Sequence, residues 1–247
     1  RPISIIGVIA KVFDSIIADK LYCLVVNKIC SQQHGFVRGK SVVSNLLIYS
    51  DFIAEALDRS LQVDPLYTDF AKAFDSVSHV LLVDKLRGFG VDDFVCWVYS
   101  YLCGRTQQVR LRGVCSDPIV ASSGVPQGSH LGPILFLVFI NDLVLGLRFV
   151  RALLYADDLK VFAIVRSLTD ASLFQTDLDF LSHWSFVNGL DFNLGKCKVL
   201  SFSKHRSPLC FEYSLCGSLL DRVESIRDLG DIFSSDFTFS RHVDSVV

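Results

Sequence analysis

Leu153-Leu154-Tyr155-Ala156-Asp157-Asp158-Leu159-Lys160-Val161-Phe162 decides how this chain is read. Two short apolar runs, rich in Leu, Val and aromatics, flank an acidic pair. Runs of that length and composition read as strands. Two residues between them read as a tight hairpin. Asp-Asp is a poor turn on local grounds, where Asn-Gly or Asp-Gly is preferred. It also sets like charges side by side, which is unfavourable without cations. Two carboxylates at a hairpin tip between buried strands therefore point to metal binding. A solvated acidic turn is the alternative reading of the pair taken alone.

Upstream, Val63 to Asp69 reads as a strand, although Pro65 argues for its first residue or for an edge. If that strand lies beside the hairpin, Asp69, Asp157 and Asp158 meet at one end of a sheet. Three converging carboxylates suit two divalent ions. Mg²⁺ prefers oxygen ligands, and a metal pair about 3.5–4 Å apart serves phosphoryl transfer. The competing reading is that Asp69 caps a turn beginning at Phe70. Ser123-Gly124-Val125-Pro126-Gln127-Gly128-Ser129 is a turn-rich loop ahead of an apolar helix over 131–145. That helix would offer its positive end to a phosphate, and Gln127 adds a neutral donor and acceptor. Taken by itself, the loop reads better as an ordinary tight connection.

Periodicity predicts further helices over 3–26, 42–58 with Ser41 as N-cap, 78–87, 92–102 and 169–187. It predicts strands over 106–112, 118–122, 190–194, 197–203, 211–215 and 222–233. Gln32 to Lys40 reads as a loop. Strands and helices without regular βαβ alternation argue for an α+β layer fold. The 247 residues are 51% apolar, yet the longest apolar run, Ile134 to Ile140, falls far short of a membrane span. No secretory signal is visible. The chain has no Met and starts at Arg1, so it reads as a fragment. Net charge is −2, which excludes nucleic-acid binding through a global basic field. Any such binding falls to a local stripe, with Lys11, Arg38, Lys40, Arg105, Arg110 and Arg112 as candidates. Arg110 and Arg112 share a face if 106–112 is one strand. The eight cysteines lack zinc-ligand spacing and read as free intracellular thiols, mostly buried.

Tyr155-Ala156-Asp157-Asp158 resembles the catalytic hairpin of reverse transcriptases. Tyr67-Thr68-Asp69-Phe70-Ala71-Lys72-Ala73-Phe74-Asp75 resembles their first-aspartate block in non-LTR (LINE-type, jockey- or R1-like) retrotransposons. Ser123 to Ser129, running into Leu131-Gly132-Pro133, is similar to the same family. So are Arg1-Pro2-Ile3-Ser4 with Lys11, Gln33-His34-Gly35-Phe36, Gly189 with Asn193 and Lys196, and Leu229-Gly230, all in family order.

The resemblance implies a right-hand polymerase fold, a palm sheet with packed helices plus fingers and with the thumb largely missing. Fingers fall on 1–65, palm with some fingers insertions on 66–205, and the end of the palm with the start of the thumb on 206–247. It implies metal binding by Asp69, Asp157 and Asp158, the first two directly and the third in support, with two Mg²⁺ ions or Mn²⁺ in their place. It implies that Phe70, Phe74, Gln127, Gly128 and Lys11 surround the nucleotide, with Phe74 blocking a ribose 2′-hydroxyl; read from the residues alone, Phe74 is core packing and Lys11 lies on a solvated helix face. Lys196 would protonate the leaving pyrophosphate. Arg38, Lys40, Arg110 and Arg112 would contact nucleic acid, and Leu229-Gly230 would support the primer end. The implied partners are an RNA template, a DNA primer and deoxynucleoside triphosphates, within a larger polyprotein carrying an endonuclease and a thumb. Location would be intracellular, in the nucleus by family expectation, without a membrane. Two departures stand out. Val37-Arg38-Gly39-Lys40-Ser41 replaces the family's Arg-Pro-Gly-Arg-Ser, and Asp231 follows Leu229-Gly230 where an apolar residue is usual. The rival readings are an inactive relic or RNA-binding scaffold, and an unrelated metal-dependent phosphotransferase.

Overall fold

A computed structural model describes residues 4–246, so Arg1-Pro2-Ile3 of the N-terminal block lies outside the described residues. In chain order the elements are α1 (Val8–Val25), α2 (Val42–Asp58), β1 (Val63–Thr68), α3 (His79–Gly88) and α4 (Asp92–Leu102). Four two-residue strands follow: β2 (Thr106–Gln107), β3 (Arg110–Leu111), β4 (Val114–Cys115) and β5 (Ile119–Val120). Then come α5 (Leu131–Ile140), β6 (Arg151–Tyr155), β7 (Asp158–Ile164), α6 (Leu168–Asn188) and β8 (Lys198–Leu200). The last elements are β9 (Ser214–Leu215), β10 (Ser218–Leu219), β11 (Asp221–Val223), β12 (Ser225–Asp228), β13 (Asp231–Ser234) and α7 (Ser240–Val246).

The chain divides into two compact units. The first takes the described chain through Ile29, Lys72–Asn141 and Asn188–Leu190; the second takes Cys30–Ala71, Asp142–Val187 and the chain from Asp191.

The second unit is built on a five-stranded sheet of order β11-β8-β1-β7-β6. β1 pairs antiparallel with β7 along its whole length, from Val63↔Ile164 to Thr68↔Leu159. Pro65 therefore sits in the central strand, contrary to the expected edge position. The ladder accommodates it by a gap. On the β8 side, Val63 bridges Phe202 and Leu66 pairs with Val199. Pro65 stands between these two points, where no donor is required of it. α2 starts on a reciprocal cap in which the Ser41 hydroxyl accepts from Ser44 N, and the Ser44 hydroxyl accepts from Ser41 N. Its Leu46, Tyr49, Ile53 and Leu57 are buried in one core with Val63, Tyr67, Phe162 and Phe202. That 3.6-residue stripe meeting the period-2 face of β1 and β7 closes the core.

The first unit packs α1, α3, α4 and α5, with the short strands β2 to β5 projecting as exposed pairs. α5 is buried almost all round, from Leu131 to Ile140, as its unbroken apolar sequence requires. The strand expected over 106–112 is broken after Gln107 and ends at Leu111. The pair expected over 190–203 is reduced to β8 and a single bridge at Phe192. The cysteines also differ from expectation. All are free thiols, but only Cys197 is buried and five are exposed, because they fall on outward helix faces and in surface loops.

Candidate active site

The acidic stretch forms the hairpin β6–β7, closed by the pair Tyr155↔Asp158. Its two-residue turn is Ala156-Asp157, not the Asp-Asp pair: Asp158 is the first residue of β7. Ala156 takes a left-handed φ of +57°, a conformation that costs an L-residue roughly 1–2 kcal/mol. The neighbouring segment holds it there. Gln33, 1% exposed, accepts through Oε1 from the backbone N–H of Ala156 (2.9 Å) and of Gly35 (2.8 Å). Its Nε2 donates to the Ala156 carbonyl at 3.2 Å. His34 N donates to Leu154 O, and Leu154 N donates to Gln32 O. Residues 32–34 thus cover the free edge of β6, the exposed edge that the sheet would otherwise present. Gly35 comes so close that a Cβ built on it would lie 2.2 Å from Ala156 N. The sequence gives Gln33 no role beyond its place in a family block. Its function becomes visible only through its partner far along the chain.

Asp69 is the first residue beyond β1, one step past the Thr68↔Leu159 pair, and the same step along β7 leads to Asp158. Asp69 and Asp158 line one cavity of about 590 Å³, together with Tyr67, Lys160, Lys196, Asp228 and the Leu229-Gly230 turn. Asp157 is half-buried on the adjoining turn and is not among the lining residues. Among the described residues no three His, Cys, Asp or Glu side chains are grouped to hold one ion. The chemistry of the donors nonetheless fits a hard divalent cation, since Asp69 and Asp158 offer only carboxylate oxygens. A cation already stands at Asp69: Lys196 Nζ lies 3.1 Å from its Oδ2. Lys196 is 67% exposed, so this pair is weak and readily replaced. Cys197 beside it is no nucleophile, for burial pushes its thiol up to about 11.

Beneath the carboxylates lies a buried polar cluster that sequence reading does not isolate. Lys160 is ion-paired with Asp228 and sits 4.4 Å over the Tyr49 ring. The Tyr49 and Tyr67 hydroxyls are 2.5 Å apart. Burial drives both phenols well above their ordinary range. Burial also pushes Lys160 down and Asp228 up, with the ion pair opposing each shift. The available signal was Lys160 itself, a charge inside the otherwise apolar run Leu159 to Phe162.

Leu229 and Gly230 form the two-residue turn of β12–β13, with φ of +49° and +108°. Asp231 faces Asp228 across that turn and lies 3.6 Å from His242 Nε2. Lys40 does not reach outward. Its Nζ donates to Ser31 O and Gln33 O, so the amine fastens the loop that carries Gln33. Arg38 is exposed. Phe70 is 1% exposed and its ring stacks on Phe192 at 4.5 Å, leaving only its backbone for any nucleotide.

The remaining expected residues belong to the first unit. Lys11 is exposed in α1. Phe74 is buried and stacks on Phe136 at 4.4 Å. Gly124, at φ +88°, packs on Asp75, where a Cβ would lie 2.7 Å from a carbonyl oxygen. Gly128 has φ +97°. Gln127 accepts from Ser4 N through its carbonyl, and its Nε2 is buried without a hydrogen-bond partner. The helix behind this loop does not present a free positive end. The Asp14 carboxylate accepts from His130 N (2.6 Å) and Leu131 N (3.3 Å) at the start of α5. An internal anion thus takes the place expected for a phosphate. Arg110 is exposed on β3, but Arg112 lies beyond that strand at φ +49°. The two arginines therefore do not share one strand face.

Residues 1–231 match a family model described as reverse transcriptase (RNA-dependent DNA polymerase). The chain is 30% identical over 254 aligned positions to a probable RNA-directed DNA polymerase from transposon BS of Drosophila melanogaster, covering 98% of this chain and 28% of that protein. It is 28% identical to the RNA-directed DNA polymerase from mobile element jockey of Drosophila funebris, covering 100% and 28%. The chain thus spans little more than a quarter of these relatives. Among solved structures it is similar to apo telomerase from Candida tropicalis truncated of its C-terminal domain, with TM-score 0.63 and 12% identity over 93% of this chain and 44% of that one. Telomerase from Candida albicans gives 0.62 and 13%, over 93% and 37%. At such identity the likeness is one of fold.

Proposed function

The chain belongs to the reverse transcriptase family, and from that premise we propose that it is the polymerase portion of a non-LTR retrotransposon protein, extending a DNA primer on an RNA template. The observation that carries this reading is the shared cavity of Asp69, Asp158, Lys196 and the Leu229-Gly230 turn. The primer 3′-hydroxyl attacks the α-phosphorus of a deoxynucleoside triphosphate. One P–O bond forms as the hydroxyl gives its proton to water, the bond to the β-phosphate bridge breaks, and pyrophosphate leaves.

Asp69 and Asp158, with Asp157 on the adjoining turn, would hold two Mg²⁺ ions, or Mn²⁺ in their place. When bound, such ions neutralise phosphate charge and make the hydroxyl a better nucleophile. The chain's own residues do the rest. Lys196, released from Asp69, gives a proton to the departing pyrophosphate. The Gln33 clamp keeps the Asp157 turn from relaxing toward a commoner geometry. Leu229-Gly230 seats the primer end. Gln127, whose Nε2 lacks an internal acceptor, offers a donor to the incoming nucleotide. Phe74 sets the preference for deoxyribose, with its stacking on Phe136 fixing the ring.

Primer extension on an RNA template with deoxynucleotides and Mg²⁺ tests the reading. Extension that is lost in Asp158→Asn supports it. RNA binding without extension would favour the scaffold reading, to which the inward-turned Lys40 also lends support.

A further inference from the structure

Lys160 and Asp228 are the one ion pair among those described with both side chains under 10% exposed, at 4% and 9%. Each sits at a telling place. Lys160 is two residues after Asp158 on β7, so the two side chains share a face of the strand. It also stands directly opposite Tyr67, which is two residues before Asp69. Asp228 is the last residue of β12 and opens the Leu229-Gly230 turn. Tyr67, Asp158, Lys160, Asp228, Leu229 and Gly230 all line the same cavity. β12–β13 is a separate two-stranded sheet, not hydrogen-bonded into the central one. Its turn is therefore not registered against β7 by any backbone ladder, and the ion pair ties the two together.

A buried ion pair is a poor way to gain stability, because well-packed apolar residues of similar volume do as well or better. What it supplies is direction: one ammonium, one carboxylate oxygen and one geometry. The Tyr49 ring beneath the ammonium and the Tyr49–Tyr67 hydroxyl contact leave Lys160 little other freedom.

We propose that the Lys160–Asp228 pair is a positioning device that fixes the Leu229-Gly230 turn, and with it the primer 3′ end, against the strand that begins with Asp158. The primer half of this inference rests on the polymerase reading above.

The decisive variant is the double substitution Lys160→Met with Asp228→Leu, which removes both charges and leaves none unpaired. Asp228→Asn, close in shape, serves should the double variant fail to fold. Two readouts are taken on the whole chain: backbone hydrogen exchange at 225–234 and 155–164, and steady-state primer extension with primer–template and nucleotide varied separately. The expected result is an unchanged or higher Tm, with exchange at 229–231 faster by about 10-fold. The KM for primer–template rises by a similar factor while that for nucleotide holds, the size of effect usual when a supporting contact is lost. Unchanged exchange and unchanged primer KM in the folded variant would overturn the proposal and make the pair mere filling. Faster exchange in a chain whose unmodified form extends no primer would support the pair as what fixes the turn, and would overturn the polymerase reading instead.

Discussion

The hairpin at 151–164 and the one at 110–115 both close on two residues, Ala156-Asp157 and Arg112-Gly113, and they are held in opposite ways. Arg112 and Gly113 both have positive φ, +49° and +86°, the pattern of a type I′ turn that suits the twist of its strands. Every residue of β3 and β4 is exposed. That hairpin is written locally and supported by little else. Ala156-Asp157 has the less favourable local sequence, with an alanine at φ +57°. Yet β6 and β7 are largely buried, and Gln33 holds the turn by two hydrogen bonds to Ala156. Where local preference and tertiary support part company, the tertiary side has something to keep in place, as strained functional segments generally do.

Four tests would break or sharpen this contrast. The largest effect belongs to the acidic end of the buried hairpin. Asp158→Asn should lower primer extension by more than about 100-fold, beyond the usual loss for an outer support of a metal site. Its melting curve should stay close to that of the parent, since Asp158 is exposed. Retained extension would remove Asp158 from the chemistry. Gly35→Ala should come next. Its new Cβ meets Ala156 N at 2.2 Å, and such overpacking costs about 1–3 kcal/mol, read as a drop in Tm of about 2–4 °C per kcal/mol. At Gly113 nothing lies within 4 Å but φ is +86°, so Gly113→Ala should lose only the roughly 1–2 kcal/mol of a left-handed L-residue; a Gly35→Ala variant as stable as the parent would mean that the close approach to Ala156 relaxes without cost.

Ala156→Gly should act in the other direction. Relief of the left-handed alanine should raise stability by about 1 kcal/mol in urea unfolding. A fall in stability would show that the Gln33 clamp already absorbs the strain. The smallest effect belongs to the exposed hairpin. Arg110→Ala with Arg112→Ala should leave Tm in place, as surface changes usually stay within about 0.5 kcal/mol. The salt dependence of single-stranded RNA binding should flatten by one to two contacts at about 0.7 each. An unaltered slope would take these arginines off the binding surface.

Much of the fold was legible because periodicity is a local signal. α2 occupies the range expected from its stripe and its Ser41 cap, and α4 and the two strands of the acidic hairpin were equally readable. The misreadings have physical causes. Pro65 in a central strand defied its usual rule because the ladder skips one step there. The 106–112 strand was read from alternation, but with no sheet to bury it the segment breaks into two-residue pieces. The α5 N-terminus looked ready for phosphate because nothing local announces that Asp14, over a hundred residues earlier, will occupy it. The candidate carboxylates were visible as motifs. The roles of Gln33, Lys160 and Asp228 were not, since each is set by a partner distant in sequence.

That distance bears on how the molecule comes into being. Gln33 and Ala156 are 123 residues apart, so the clamp is a contact of very high sequence separation, the kind that forms slowly because a long loop must close first. On a ribosome, Gln33 emerges well before the turn it will hold exists. The β6–β7 hairpin can close on its own in microseconds, but Ala156 has no reason to enter the left-handed region until the 32–35 segment arrives. The geometry of the candidate site is therefore among the last features the chain acquires. A nascent or partly unfolded protein would carry its aspartates long before it could use them.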